Sequence, residues 1–337
     1  MQAAYLNTRV TLFKSRLWPG DQVSALIDAH DDELPVLLEQ HGLKLLAGGY
    51  VDDDPRSLEA RIVSILLEET RILLRPLTGE SRQFLLYWIE RFEVSNVKSL
   101  IRAKMAGETV SATAARLLDL GDFTRLDADA LMRVEDVTEL MRRLEHTNYA
   151  EIVRNARQAF EDSHDPFILD ATLDRAYYDG LIRRARSLAP EIGASFEQLL
   201  AGLIDRINLV WLLRYRFNYG LPPAQVYYLL LTPGYRLTPE RLRVLVAKED
   251  VKAVLAALPD ELARALAGVD TIPEVAARLE QTALDHARAV LDRTDHPLAR
   301  TLAYLMLRES GLRDLRAVLR GRRLALPVDD IRLAVGA

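Results

Sequence analysis

The stretch NVKSLIRAK, residues 96–104, occurs twice more in this chain, as NLVWLLRYR at 208–216 and as DLRAVLRGR at 314–322. Each version opens on Asn or Asp, has apolar residues in its second, fifth and sixth places, and carries basic residues in its seventh and ninth places. The apolar places have the spacing of one face of a helix. The versions begin 112 and 106 residues apart (208 − 96 and 314 − 208), so the pattern indicates one small helical domain in three copies.

Other landmarks keep this period. Glu135-Asp136-Val137 returns 114 residues later as Glu249-Asp250-Val251, and the two runs end at Leu144 and Leu258. A leucine followed by an acidic residue heads the helical run before each copy, at Leu58-Glu59, Leu173-Asp174 and Leu279-Glu280. Copy three continues into Leu326-Pro327, which matches Leu221-Pro222 of copy two. The repeat therefore extends well beyond nine residues.

The third copy reaches Ala337 before its last helix, and the N-terminal residues supply a match for the missing part. Ala25-Leu26, His30-Asp31 and Leu38-Glu39 follow the order of Ala130-Leu131, Glu135-Asp136 and Leu144-Glu145. We predict an all-α fold of three similar units around a pseudo-threefold axis, with the two termini close together. The predicted bounds are 1–45 for N-terminal helices that complete unit three, 46–157 for unit one, 158–268 for unit two and 269–337 for unit three.

Capping residues and prolines in the sequence predict where several helices begin. Asp54-Pro55 and Thr238-Pro239 place a side-chain oxygen before a proline that needs no backbone hydrogen bond in the first turn. Ser195 with Gln198 has the spacing of a capping box. These signals predict many separate helices rather than one long coiled coil.

Composition sets limits on the class of protein. The 337 residues are 49% hydrophobic and 28% charged, as in a folded globular protein, and contain no cysteine. The net charge of −5 argues against a protein that binds nucleic acid by neutralising many phosphates. A helix that spans a bilayer needs about 20 apolar residues in succession, and no stretch reaches that length, so we expect no transmembrane segment.

No residue pattern indicates catalysis, a metal or a cofactor. None of the six histidines lies three or four residues from another, so a zinc site is not indicated. Gly48-Gly49 is not followed by the Lys of a phosphate-binding loop. The acidic runs Asp31-Asp32-Glu33 and Asp52-Asp53-Asp54 suit loops and helix starts better than a magnesium site. We therefore expect a protein that is not an enzyme and has no cofactor.

The repeated polar positions allow two interpretations. A structural role, in which side chains hold neighbouring helix ends, is favoured for the following positions: Asn96, Arg102, Asn208, Arg214, Asp314 and Arg320. The alternative is a cationic rim that binds an acidic partner surface. Its candidate residues are Lys104, Arg216 and Arg322.

Several of these residues resemble those of a known family, the C subunits of V-type ATPases and ATP synthases, whose eukaryotic counterpart is called the d subunit. The resemblance rests on Tyr5-x-Asn7-x-Arg9-Val10, Lys14-Ser15-Arg16-Leu17, Glu93-x-x-Asn96 with Arg102-x-Lys104, and Asp205-x-x-Asn208 with Arg214-x-Arg216. It runs essentially from end to end. Copy three departs from it, with Gly311 and Asp314 in the places of Glu93 and Asn96.

The resemblance implies a funnel-shaped, non-catalytic subunit on the cytoplasmic face of the membrane. It would receive the central shaft made of the D and F subunits, sit on the proteolipid rotor ring, and transmit torque between them. Two other classes stay open at this point: a helical repeat scaffold outside any rotary ATPase, and a helical enzyme, for which the sequence supplies no pocket residues.

Overall fold

A computed structural model describes residues 2–18, 20–47, 55–163, 165–232 and 234–335 of the chain. Every regular element within these residues is a helix, and none of them is in a β-strand. The predicted all-α fold is confirmed. The acidic run at 52–54 and the Gly48-Gly49 pair lie outside the described residues.

The helices are mostly short, as the capping signals predict. In chain order they are α1 (Gln2–Lys14), α2 (Gly20–Asp28), α3 (Leu34–Gln40), α4 (Lys44–Ala47), α5 (Pro55–Leu74), α6 (Gly79–Met105), α7 (Val110–Ala114), α8 (Ala128–Met132), α9 (Val137–Leu144), α10 (Ala150–Ser163), α11 (Pro166–Ile192), α12 (Ala194–Leu213), α13 (Pro223–Leu229), α14 (Pro239–Val246), α15 (Val251–Ala256), α16 (Asp260–Ala265), α17 (Ile272–Arg293), α18 (Pro297–Arg323) and α19 (Val328–Val335). A π-helical turn over Arg214–Asn218 continues α12, and a 3₁₀ turn covers Gly121–Phe123.

The chain forms two compact units. The first comprises Met1–Asn96, Ala114–Thr124 and Leu291–Ala337, and the second comprises Val97–Thr113 and Arg125–Val290. In the first unit α1, α5 and α18 pack against one another, and α2 packs on α18 and α19. Helix α18 is buried on most of its faces, which is why its sequence shows little amphipathic pattern.

The second unit is built around α11 and α12, which pack together, and α10, which packs along α11. Its core is a continuous apolar cluster that runs from Ile168 through Leu209 and Leu212 to Leu279. Because α12 contributes buried residues on nearly every turn, the polar residues on its covered sides have to find partners inside the protein. Two of these polar residues, described below, form part of the candidate site.

The capping predictions have three outcomes. Thr238 caps α14 by accepting from the Arg241 N–H, as predicted. The capping box at Ser195 is wrong, because α12 begins at Ala194 and its N-cap is Gly193, which has no side chain. Gly193 has φ +97° and ends α11 as well as starting α12, so the turn is set by backbone freedom and not by a cap. Asp54 lies outside the described residues, although α5 does begin at Pro55.

Candidate functional site

In copies one and two, the first position of the repeated pattern is an asparagine whose side chain is hydrogen-bonded to a distant loop. Asn96 donates to the Leu118 carbonyl and accepts from the Leu118 N–H, both at 2.8 Å. Asn208 does the same with Leu231, at 3.1 and 2.8 Å. A side-chain amide can satisfy one backbone N–H and one C=O together, which an apolar residue cannot do. This contact recurs in copies one and two and supports the structural interpretation of both positions.

The acidic residue three places earlier serves the same loop in copy two. Asp205 is almost fully buried and accepts from the backbone N–H groups of Arg236 and Leu237, both at 3.2 Å. Burial raises the pKa of the Asp205 carboxyl, and these backbone hydrogen bonds oppose that rise. Asp205 and Asn208 lie one turn apart on α12, so together they hold the two ends of the segment 231–237. Glu93 is the counterpart of Asp205 in copy one, and it is buried as well.

Copy three has glycine at this acidic position, beside an aromatic side chain from the N-terminal residues. A Cβ placed on Gly311 would lie 3.6 Å from Cδ1 of Trp18, in van der Waals contact with it. The Trp18 ring stacks on His41 with ring centroids 3.8 Å apart. Residues near the N-terminus occupy this part of copy three.

The ninth place of the pattern is a basic residue that donates to carbonyls near the end of a short helix. Lys104 Nζ lies 2.5 Å from the Val134 carbonyl, just after α8. Arg216 donates to the carbonyls of Val246, at the end of α14, and Lys248. Arg322 donates to the carbonyls of Leu26, Ile27 and Ala29 around the end of α2, at 2.7–3.1 Å. A cation is favourable there because the last carbonyls of a helix lack partners and carry partial negative charge.

These three basic residues therefore form their hydrogen bonds with other parts of the same chain. All three side chains are partly buried, and Arg322 also pairs with Asp31 at 2.6 Å. Helices α9 and α15, which follow two of these carbonyl groups, are capped alike by Asp136 and Asp250. Contact of Lys104, Arg216 and Arg322 with a partner stays a prediction.

The seventh place of the pattern is the exposed one. Arg102, Arg214 and Arg320 are all exposed to solvent. Arg102 pairs with Asp170, whereas Arg214 and Arg320 make no ion pair with the part of the chain that the structure describes. Two places apart on one helix, the pattern thus carries one basic side chain that faces water and one that faces a neighbouring helix.

Each version of the pattern is followed a few residues later by a turn that contains a residue in the left-handed region. Gly107, Gly220 and Ala325 have φ of +63°, +67° and +50°, and Ala325 is the non-glycine residue with positive φ among the described residues. In copies one and three the turn is closed by a bond to the carbonyl five residues back, Glu108 to Ala103 and Leu326 to Gly321. In copy two Leu221 reaches six residues back to Tyr215, because the π turn inserts one residue. Asn96 and Asn208 are 112 residues apart, whereas Gly107 and Gly220 are 113 residues apart. The inserted residue explains this difference.

A buried polar network in the first unit was not found by the sequence analysis. Arg308 is fully buried and donates to both carboxylate oxygens of Glu69 at 3.1 Å. Tyr304 donates to Glu69 at 2.5 Å and Arg16 donates to it at 3.0 Å. Burial and the Glu69 charge raise the pKa of Tyr304 well above its usual value. These residues have no counterpart in the repeat, and Arg16 and Arg308 lie 53 and 239 positions from Glu69, so no sequence spacing points to the network.

Two negative findings concern chemistry and membranes. Across residues 2–18, 20–47, 55–163, 165–232 and 234–335, no three side chains of His, Asp or Glu come together as metal ligands. In the same ranges no helix combines the length and the apolar content needed to cross a bilayer.

Comparison with known proteins identifies the family. The family described as "ATP synthase (C/AC39) subunit" matches residues 6–333. The chain belongs to this family. The resemblance read from the sequence is thereby confirmed.

Relatives in the ATP synthase (C/AC39) subunit family match the chain over nearly its whole length. The C subunit of the A-type ATP synthase of Methanocaldococcus jannaschii is 23% identical, over 98% of this chain and 85% of that protein. The corresponding protein of Methanosarcina mazei is 23% identical over 96% of this chain and 89% of its own length. For that of Archaeoglobus fulgidus the identity is 25%, over 97% of this chain and 94% of the relative. The family match thus includes all three versions of the repeated pattern.

Proposed function

We propose that this chain is a non-catalytic central-stalk subunit of a rotary V-type ATPase/ATP synthase. In this role it links the shaft of the D and F subunits to the membrane proteolipid ring and transmits torque between them, as a peripheral protein on the cytoplasmic face. The single observation that carries the proposal is the family match over residues 6–333. The relatives named above are C subunits of A-type ATP synthases.

The proposal includes the three-unit architecture, with a funnel shape around a pseudo-threefold axis and the bounds 1–45, 46–157, 158–268 and 269–337. The basic residue in the ninth place supports it. Lys104 and Arg216 each reach a helix that lies about 30 residues further along the chain, whereas Arg322 reaches back to α2, 293 to 296 residues earlier. We infer that α2 and α3 supply to unit three what α8 with α9 and α14 with α15 supply to the other two.

A subunit that carries torque has to resist shear without yielding. The contacts that suit this role are those that join segments far apart in the chain and are shielded from water: Asn208 with Leu231, Asp205 with the loop at 236–237, and Arg308 with Glu69. Polar contacts of this kind fix one arrangement, because any displacement leaves a buried polar group without its partner.

Co-purification tests the proposed function. The tagged chain is expressed in its own host, membranes are dissolved in a mild detergent, and proteins retained on the tag are identified by mass spectrometry. We expect the shaft subunits and the proteolipid to be retained in fixed ratio. A scaffold unrelated to a rotary ATPase would retain neither, and that result would refute the proposal.

The cationic rim of Lys104, Arg216 and Arg322 is tested separately within this function. Because each residue also donates to helix-end carbonyls, charge reversal would break contacts inside the chain as well as contacts to a partner. The conservative change Arg216→Lys keeps the charge but gives up the forked set of donors. The matched change Arg216→Gln removes the charge as well. If Arg216→Lys and Arg216→Gln both lower the melting temperature while the salt dependence of partner binding is the same for the two variants and the unsubstituted chain, the rim is wrong and the role of this residue is internal.

A further inference from the structure

The first compact unit contains an apolar cleft between α5, α6 and α18, with a volume of about 190 Å³. Its floor is formed by the side chains of Ile62, Val63, Leu66, Phe92 and Leu312. All of these except Phe92 are buried. A cavity of about 150 Å³ lined by Leu, Ile and Phe is large enough to take up benzene. The cleft therefore has room for an apolar group about as large as one aromatic ring.

Charged side chains surround the mouth of this cleft. Glu59 on α5 pairs with Arg316 on α18 at 3.0 Å, and Glu309 on α18 pairs with Arg91 on α6 at 2.5 Å. Each pair joins two of the three helices that form the cleft. Both carboxylates that line the cleft therefore already have a cation as partner.

A third arginine makes the mouth of the cleft cationic. Arg313 is exposed and lines the cleft four residues after Glu309 and three before Arg316, on the same side of α18. With Arg91, three positive charges face two negative ones, which leaves a net charge of +1. Guanidinium groups bind carboxylates through parallel hydrogen bonds, whereas an ammonium ion would have to displace an arginine from Glu59 or Glu309. The charge therefore favours an anionic ligand.

The corresponding place between copies two and three is different. Glu280, which heads copy three as Glu59 heads copy one, pairs with Arg206 of α12 at 3.3 Å. The cavity beside Arg206 has a volume of only about 80 Å³, and its lining includes the polar side chains of Asp205, Glu261 and His286. The repeated fold does not by itself produce a large apolar cleft at this place. The cleft is a feature of the residues around Ile62 and Leu312.

We propose that the apolar cleft binds a small carboxylate whose apolar body is about as large as one aromatic ring. The body lies on the floor beside Ile62, Val63 and Phe92, and the carboxylate accepts hydrogen bonds from Arg313 and Arg316 at the mouth. Binding sites for small molecules commonly combine an apolar lining with a few polar groups that orient the ligand. This site lies within the first compact unit, and the inference does not depend on the proposed function.

An NMR titration of the full chain tests the proposed site. Phenylpropionate is the probe, and phenylpropanol and phenylpropylamine are its neutral and cationic counterparts. The methyl signals of Ile62, Val63 and Leu312 report on the floor of the cleft. We expect phenylpropionate to shift these signals saturably, with a dissociation constant of about 1 mM. The alcohol and the amine should bind at least about fivefold more weakly, because they cannot accept parallel hydrogen bonds from an arginine.

Two sets of variants separate the mouth of the cleft from its floor. Arg313→Gln with Arg316→Gln should weaken binding of phenylpropionate by about fivefold, to the level of the alcohol, and leave the alcohol unchanged. The matched control is Arg320→Gln with Arg323→Gln, which removes two exposed arginines from the same helix outside the cleft. Val63→Phe fills the floor and should abolish binding of both acid and alcohol.

Three results would overturn the inference. The first is the absence of any saturable shift of the floor methyl signals at phenylpropionate concentrations up to about 20 mM. The second is equal affinity for the acid, the alcohol and the amine. The third is an equal loss of acid binding in the control pair and in the pair at the mouth of the cleft. Circular dichroism and thermal unfolding establish that each variant is folded, and Val63→Leu replaces Val63→Phe if the larger side chain prevents folding.

Discussion

Removal of the buried carboxylate of Glu69 should destabilise the first unit severely. In Glu69→Gln the fully buried Arg308 loses its counter-charge and keeps only neutral acceptors, which are the carbonyls of Arg16 and His41 and the one amide oxygen of the new side chain. The Arg16 side chain is about one third exposed and is itself a cation, so it offers no compensation. An uncompensated buried charge of this kind costs about 3–5 kcal/mol.

Native-state hydrogen exchange of the α18 amides is the suitable assay. It reports the free energy of opening for this helix alone and so does not require the two units to unfold together. The double variant Glu69→Gln with Arg308→Met removes the unpaired cation, so it should recover at least about 2 kcal/mol relative to the sum of the single changes.

The neighbouring residue provides the control. Glu68 is half exposed and pairs with Arg71 on the helix surface, at 2.7 Å. Glu68→Gln should therefore cost no more than about 1 kcal/mol. Equal losses for Glu68→Gln and Glu69→Gln would refute the view that burial of the charge, and not its hydrogen bonding alone, determines the effect.

Three further predictions concern single residues. Ala325→Gly should raise the free energy of unfolding by about 1 kcal/mol, measured in urea, because alanine pays for a left-handed turn that glycine adopts freely. Asn208→Ala should lower it by about 2–4 kcal/mol, since the buried N–H and C=O of Leu231 lose their partners; a loss below about 1 kcal/mol would contradict this. Burial and the nearby Arg308 charge lower the pKa of His41. Below a pH of about 6.5 the unfolded chain therefore takes up a proton that the folded chain does not, and stability falls as pH decreases. His41→Phe should reduce this fall by up to about 1.4 kcal/mol per pH unit, and identical slopes at pH 5–7 would contradict it.

The sequence determined the helical class, the repeat and the family. These follow from local information: apolar residues at helical spacing, prolines and capping residues at helix starts, and the order of short motifs along the chain. Thr238 before Pro239 is such a case, because a cap needs only the residues next to it. The same kind of reasoning went wrong at Ser195, because Gly193 allows a turn that no side-chain pattern records.

The partners of the repeated residues were decided by the tertiary structure. Sequence spacing showed that Asn96 and Asn208 recur, but not that each holds a backbone amide 22 or 23 residues away. It placed Lys104, Arg216 and Arg322 as a group, while the contacts showed that their donors reach helix ends within the chain.

The network around Glu69 marks the limit of what sequence could determine. Its members come from α5, α18 and the residues after α1, and their contact depends on how these helices pack. Helical periodicity depends on residues that are close together in the sequence. Burial and long-range pairing arise only when distant segments exclude water from one another.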